Sequence, residues 1–96
     1  MINLQLNDVV TEEKVLHYLN LTKRAREKAT PIHEEGSNES SQLQIMMRMA
    51  DDYASDAKHF MDTGDYVRAF GAINYAHAWI DAGAVSYTHL TLPTKA

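Results

Sequence analysis

A chain of 96 residues, 45% hydrophobic and 23% charged, has material for one small domain and no more. Its formal charge of −4 makes nucleic acid and anionic membrane poor partners, and the absence of cysteine excludes a disulfide framework, a thiolate metal site and a thiol nucleophile. No apolar run approaches the ~18 residues of a membrane span and nothing resembles a signal peptide, so the cytoplasm is the default compartment.

The first ten residues alternate apolar and polar positions (Ile2, Leu4, Leu6) as a strand would. An isolated strand has nothing to pair with, so this stretch reads as a loosely packed lead-in. Thr11 is the better helix start. Its hydroxyl can cap, Glu12 and Glu13 put negative charge at the positive helix end, and Val10 can staple against Val15. The inward face of this first helix, over 11–29, comprises Val15, Leu16, Tyr18, Leu19, Thr22, Ala25 and Ala29. Pro31 disfavours helical geometry at Thr30 and ends it.

TPIHEEGSNES, from Thr30 to Ser40, is the one linker, with Ile32 a candidate anchor beneath the bundle. A second helix, over about 39–63, starts between Ser37 and Ser41, where Ser41 with Gln44 fits a capping box. Met46, Ala50, Tyr53, Ala57 and Phe60 recur along it at intervals of four and three, one stripe of a 3.6-residue period. Its methionines (Met46, Met47, Met49, Met61) suit a soft binding surface, although gap-filling in the core is the commoner use.

Gly64 stands where a helix would end, since glycine enters the left-handed conformation without steric cost, and Asp65 can cap the next helix at once. So short a turn makes the flanking helices an antiparallel hairpin. The third helix, over 65–84, carries Tyr66, Phe70, Ile73, His77 and Ile80 as its stripe. Ala72, Tyr75, Ala76 and Trp79 widen that stripe, so more than one neighbour should cover it. Ala54, Ala57, Ala69, Ala72 and Ala76 should let helices approach closely. These readings add up to an all-α protein of three antiparallel helices. A tetratricopeptide repeat echoes in Gly-Asp-Tyr, but a single copy cannot bury its own faces.

Several polar residues invite a chemical reading. Asp56 and His59 stand three apart on helix two, and His77 and Asp81 four apart on helix three. Across the hairpin, Asp56, Asn74 and His77 are expected to converge at mid-bundle, where histidine and carboxylate could bind a zinc-like or iron-like ion. No Glu-x-x-His motif accompanies them, so the di-iron bundle pattern is absent. A satisfied polar network that fixes helix register is the plainer reading of Asp56, His59, Asn74, His77 and Asp81. No motif calls for a cofactor, and no phosphate loop or serine nucleophile is in evidence. The one basic run, Lys23-Arg24-Ala25-Arg26-Glu27-Lys28, suits the C-terminal end of a helix dipole. As a nucleic-acid contact it lacks interleaved aromatics.

The pattern DAKHF…GDYVRAF.AINYA…W.DAGA, between Asp56 and Ala84, resembles the archaeal domain-of-unknown-function family 357, a set of short three-helix proteins. The resemblance covers Tyr53–Ala84 and, more loosely, Glu12–Ser41. It implies a spectrin-like up-down-up bundle and no reaction, so no catalytic residue carries over. His77-Ala78 departs from an expected aromatic–small pair, and the chain after Ala84 is expected to leave the pattern. Residues 85–96, VSYTHLTLPTKA, resemble translated sequencing-adaptor sequence. On that reading 1–84 is a single helical-bundle domain and the rest an adaptor-derived tail. Setting the tail aside removes Lys95, leaving eight Lys and Arg against thirteen Asp and Glu, a charge of −5.

Three functions compete. The leading one is a non-enzymatic interaction module in which Tyr75 and Trp79 offer a surface to a protein partner or to a second copy. The second is a nucleic-acid-binding accessory protein using the basic end of helix one. The third is a metal-dependent enzyme built on the His and Asp residues above.

Overall fold

A computed structural model describes residues 6–29 and 31–87. Three helices account for its architecture: α1 Glu12–Lys28, α2 Asn38–Asp62 and α3 Tyr66–Tyr87. The described residues form no strand, and the protein is an all-α three-helix fold. Ile2 and Leu4, Thr30, and the tail from residue 88 with His89 and Lys95 lie outside the described residues, while Leu6 and Val9 of the lead-in are exposed.

Local chemistry sets the helix ends. Thr11 caps α1 by accepting the Lys14 N–H at 3.2 Å, with Glu12 and Glu13 in the first turn and Arg26 and Lys28 in the last. Ala29 leaves the helix in an extended conformation two residues before Pro31. The start of α2 differs from the capping box expected at Ser41. A turn over Glu34–Ser37 has Gly36 at φ 87° and is closed by the Ser37 N–H to the Glu34 carbonyl, 3.1 Å. It delivers Ser37 in extended geometry, and the Ser37 hydroxyl oxygen accepts the Ser40 N–H at 3.1 Å. Ser41 is thereby already inside the helix, one turn too late to cap it.

Between α2 and α3 the chain reverses through a Schellman turn. The Asp65 N–H reaches back to the Phe60 carbonyl (2.8 Å) and the Gly64 N–H to the Met61 carbonyl (3.0 Å), with Gly64 at φ 80°. Asp65 then caps α3, its carboxylate accepting the Arg68 N–H at 3.1 Å and pairing with the Arg68 guanidinium at 3.5 Å. One residue therefore closes the first helix with its N–H and opens the second with its side chain.

α2 and α3 pack most extensively, α1 lies on α3, and α1 touches α2 only lightly. Tyr53 stacks on Tyr75 with ring centroids 5.3 Å apart, each eleven residues from Gly64, as an antiparallel hairpin requires. Between α1 and α3 the pairs are Glu12 with Tyr66, Tyr18 with Phe70, and Thr22 with His77, so these two run in the same direction. That ordering is consistent with an up-down-up bundle.

The core has two parts. Ala57, Ala72, Ile73 and Ala76 pack near the turn, joined by Tyr18, Leu19, Tyr53, Ala54, Phe60 and Phe70. Ala25, Leu43, Met47, Ala50 and Ile80 pack at the far end, joined by Ala29, Met46 and Trp79. Ala69 is also fully buried. Gly83 extends this small-residue seam, since a Cβ there would sit 2.8 Å from the Met47 methyl and 3.1 Å from a Leu43 methyl. Of the methionines, Met47 is buried while Met46, Met49 and Met61 are half-buried. Two expected core positions are not core. Leu16 is 49% exposed, because it faces the gap that α1 leaves beside α2, and Ile32 is 45% exposed on the linker surface instead of anchored beneath the bundle.

Replacing Gly64 by Val is expected to destabilise by over ~1 kcal/mol, because a β-branched residue resists positive φ. Asp65→Ala should cost about 0.5–2 kcal/mol through the lost cap. Urea titrations of both variants against the parent check these values; superimposable curves would mean the turn does not hold the hairpin.

Tyr66 ties the starts of α1 and α3, its hydroxyl donating to the Glu12 carboxylate at 3.3 Å. The negative charge of Glu12 raises the phenol above its usual value near 10, helped by desolvation and by that hydrogen bond. Because the folded state holds the proton more tightly, the contribution is fully present below pH 10 and is lost as pH rises through the raised value. Thermal melts above pH 10 should fall more steeply for the parent than for Tyr66→Phe; equal slopes would contradict the coupling.

Candidate functional site: an aromatic face, a buried histidine and an inter-helix groove

Angular position on α3 separates three features. Phe70 and His77, seven residues apart, share the face that meets α1, while Tyr75 and Trp79 lie about 160–200° from His77 at 100° per residue. Tyr75 is 63% exposed, with one ring face covered by Tyr53. Trp79 is half-buried against the far-end core, whereas Ile73 and Ile80 are fully enclosed and Phe70 is half-buried. Met46, Met49 and Tyr53 of α2, spaced three and four apart, share a helix face. The stack of Tyr53 on Tyr75 joins that face to the aromatic pair on α3.

His77 is held between two helices. Its Nδ1 lies 3.2 Å from the hydroxyl of Thr22, a buried residue of α1, and its Nε2 lies 3.6 Å from the Asp81 carboxylate one turn along α3. A carboxylate only accepts, so the neutral ring is best served by a proton on Nε2, leaving Nδ1 to accept from Thr22. The expected approach of Asp56 to His77 does not occur. His77 turns to α1, whereas Asp56, one residue before fully buried Ala57, points to solvent. His59 is also exposed, its ring tilted against Phe60 at 6.0 Å, and Asn74 is half-buried. Among the described residues no group of three His, Asp or Glu side chains is placed to hold a metal ion. The pair that does form joins His77 to Thr22 on the inward face of α1. Its signal was there: a hydroxyl on an otherwise apolar stripe needs a partner.

The third feature is a groove of about 540 Å³ between α1 and α2. Ile73 and Ile80 of α3 reach its floor, and Leu16, Leu19, Ala50 and Ala54 form its apolar walls. Asn20 and Lys23 of α1 face Ser55 and Lys58 of α2 along the rim. At one end the Arg26 guanidinium grips the Asp51 carboxylate at 3.1 and 3.4 Å, strapping the two helices together. Beyond that strap a second hollow of about 410 Å³ continues past Leu43, Met47 and Arg48. The basic run is accordingly divided: Ala25 is buried, Lys23 and Arg26 face the groove, and Arg24 is exposed elsewhere. Within the described residues no helix is long and apolar enough to cross a membrane.

Thr22→Val should cost about 1–3 kcal/mol, because it leaves a nearly buried imidazole nitrogen unpaired. Combining it with His77→Leu in a double-mutant cycle should recover part of that loss, with a coupling of at least ~0.5 kcal/mol. Strict additivity in chemical denaturation would show that the two side chains do not interact.

Residues 17–88, 72 of the 96, match the model of a family described as a protein of unknown function, DUF357. The match extends to residue 88, and α3 itself to Tyr87. No curated protein and no solved structure matches the chain.

Proposed function

The chain belongs to the DUF357 family of unknown function, and from that premise we propose that it is a non-enzymatic protein-interaction module working through the aromatic face of its hairpin. The observation that carries this reading is the exposure of Tyr75, 63%, on a ring already ordered by stacking on Tyr53. A rigid aromatic held at the surface gives a partner contact area with little further loss of side-chain freedom. Trp79, one turn along and only half-buried, and the half-buried Met46 and Met49 extend the face with large or adaptable apolar groups. Aromatics and methionine are the residue types enriched at interface centres. The occupant is a protein, either another chain or a second copy of this one.

Sedimentation velocity over a concentration series tests the reading. Wild-type protein should self-associate, or co-sediment with a partner recovered on it, while Tyr75→Ala and Trp79→Ala remain helical and do so at least tenfold more weakly. If Trp79→Ala instead unfolds the bundle by about 3–5 kcal/mol, as loss of a core tryptophan does, and Tyr75→Ala changes no association, the face is structural and the proposal fails.

A further inference from the structure

The α1–α2 groove is unrelated to the aromatic face, which lies on the other side of α3. Its walls and floor are apolar, yet its rim is not neutral. Lys23 on α1 and Lys58 on α2 face it from opposite sides, and neither makes an ion pair among the described residues. The carboxylate in the lining, Asp51, is already held by Arg26. Arg48 continues the same sign in the hollow beyond that strap, also without an ion pair among the described residues. Unneutralised cations thus stand along a greasy trough on a chain whose formal charge is −4. This local reversal of sign is the opposite of what the composition as a whole offers, and it is aligned with the trough.

We propose that this groove is the docking site for an acidic amphipathic helix of a partner protein. The dimensions suit such a ligand. From Leu16 to Arg26 the α1 wall rises about 15 Å, roughly three helical turns. A partner helix of that length would set an i, i+3, i+4, i+7 apolar seam on Leu16, Leu19, Ala50 and Ala54, the groove mode of helix recognition. Glutamates or aspartates on either flank of the seam would then meet Lys23 on one side and Lys58 on the other. Such a helix would act as a fourth member of the bundle, covering the gap that makes Leu16 49% exposed. A second copy of this acidic chain is the weaker occupant, because its net charge opposes self-docking.

The test is a selection on full-length protein from displayed helical peptides of about fourteen residues, with an apolar seam at this spacing. The flanking positions are drawn from Glu, Gln and Lys. The expected result is enrichment of Glu on both flanks. Fluorescence anisotropy of a selected peptide should weaken at least tenfold for the double variant Lys23→Glu, Lys58→Glu, and as salt rises. Tyr75→Ala should bind it as the wild type does. Both lysines lie at the rim and are exposed, so the charge variant should keep its fold, which circular dichroism verifies. Selection of no peptide, enrichment of Gln or Lys flanks, or unchanged binding to the charge variant would overturn the proposal. Binding lost in Tyr75→Ala but kept in the charge variant would overturn it while upholding the aromatic face. A wild-type dimer abolished by the charge reversal would also overturn it, in favour of a second copy.

Discussion

Along the α2–α3 seam, Ala57, Ala72 and Ala76 are almost wholly enclosed, and Gly83 lets the α3 backbone sit where a Cβ would collide with the Met47 methyl. Small side chains bring the two helix axes close, and closeness leaves little room for large groups between them. Ile73 and Ile80 remain in the core, while the aromatic rings of Phe70 and Tyr75 stand on the two flanks of α3. Phe70 goes one way, to Tyr18 of α1, and Tyr75 goes the other, to Tyr53 of α2. The turn at Gly64 and Asp65 sets the register of this seam, since the stacked tyrosines lie equally far from it.

The third helix of the bundle answers to that seam. α1 docks on the flank of α3 that carries Phe70 and His77, and it touches α2 only lightly, through the Arg26–Asp51 strap and the packing of Ala25 with Leu43, Met47 and Ala50. Being partly exposed, that ion pair contributes little energy and mainly sets the spacing of the two helices. The Thr22–His77 contact is better placed to matter for register. Both groups are largely withdrawn from water, and sliding α1 along α3 by one turn would strand a hydroxyl and an imidazole nitrogen together.

Much of this was legible in the sequence, because it depends on local chemistry. Thr11, Pro31, Gly64 and Asp65 each act through their own backbone neighbourhood, and the structure finds each at the end it was expected to mark. The cap of α2 was harder to read, as Ser37, Ser40 and Ser41 are alike in type. The choice falls to Ser37 through the positive φ of Gly36, a conformation that composition alone does not announce. The groove was not legible at all. Periodicity assigns each helix an apolar stripe, but how closely α1 packs on α2 decides whether Leu16 ends in a core or on a wall. The same distinction keeps Asp56 from His77. Levels along a hairpin can be counted from its turn, whereas the direction of a side chain around its helix depends on which neighbour claims that face.

Three helices of this size cannot enclose one another completely, and a small domain leaves a larger share of its apolar surface in water than a large one. Where that remainder falls is informative. Leu6, Val9, Ile32, Ile45, Val67 and Val85 are exposed singly, whereas on two sides of α3 the exposed residue belongs to a built feature, Tyr75 to an aromatic face and Leu16 to a lysine-rimmed trough. The two sites differ in kind. The aromatic face is ordered by ring stacking and neutral in its named members, so association there should respond little to salt. The trough is flanked by Lys23 and Lys58, so association there should weaken as salt screens the rim. A four-helix arrangement would satisfy the trough and leave the aromatic face open, so occupation of one site does not preclude the other.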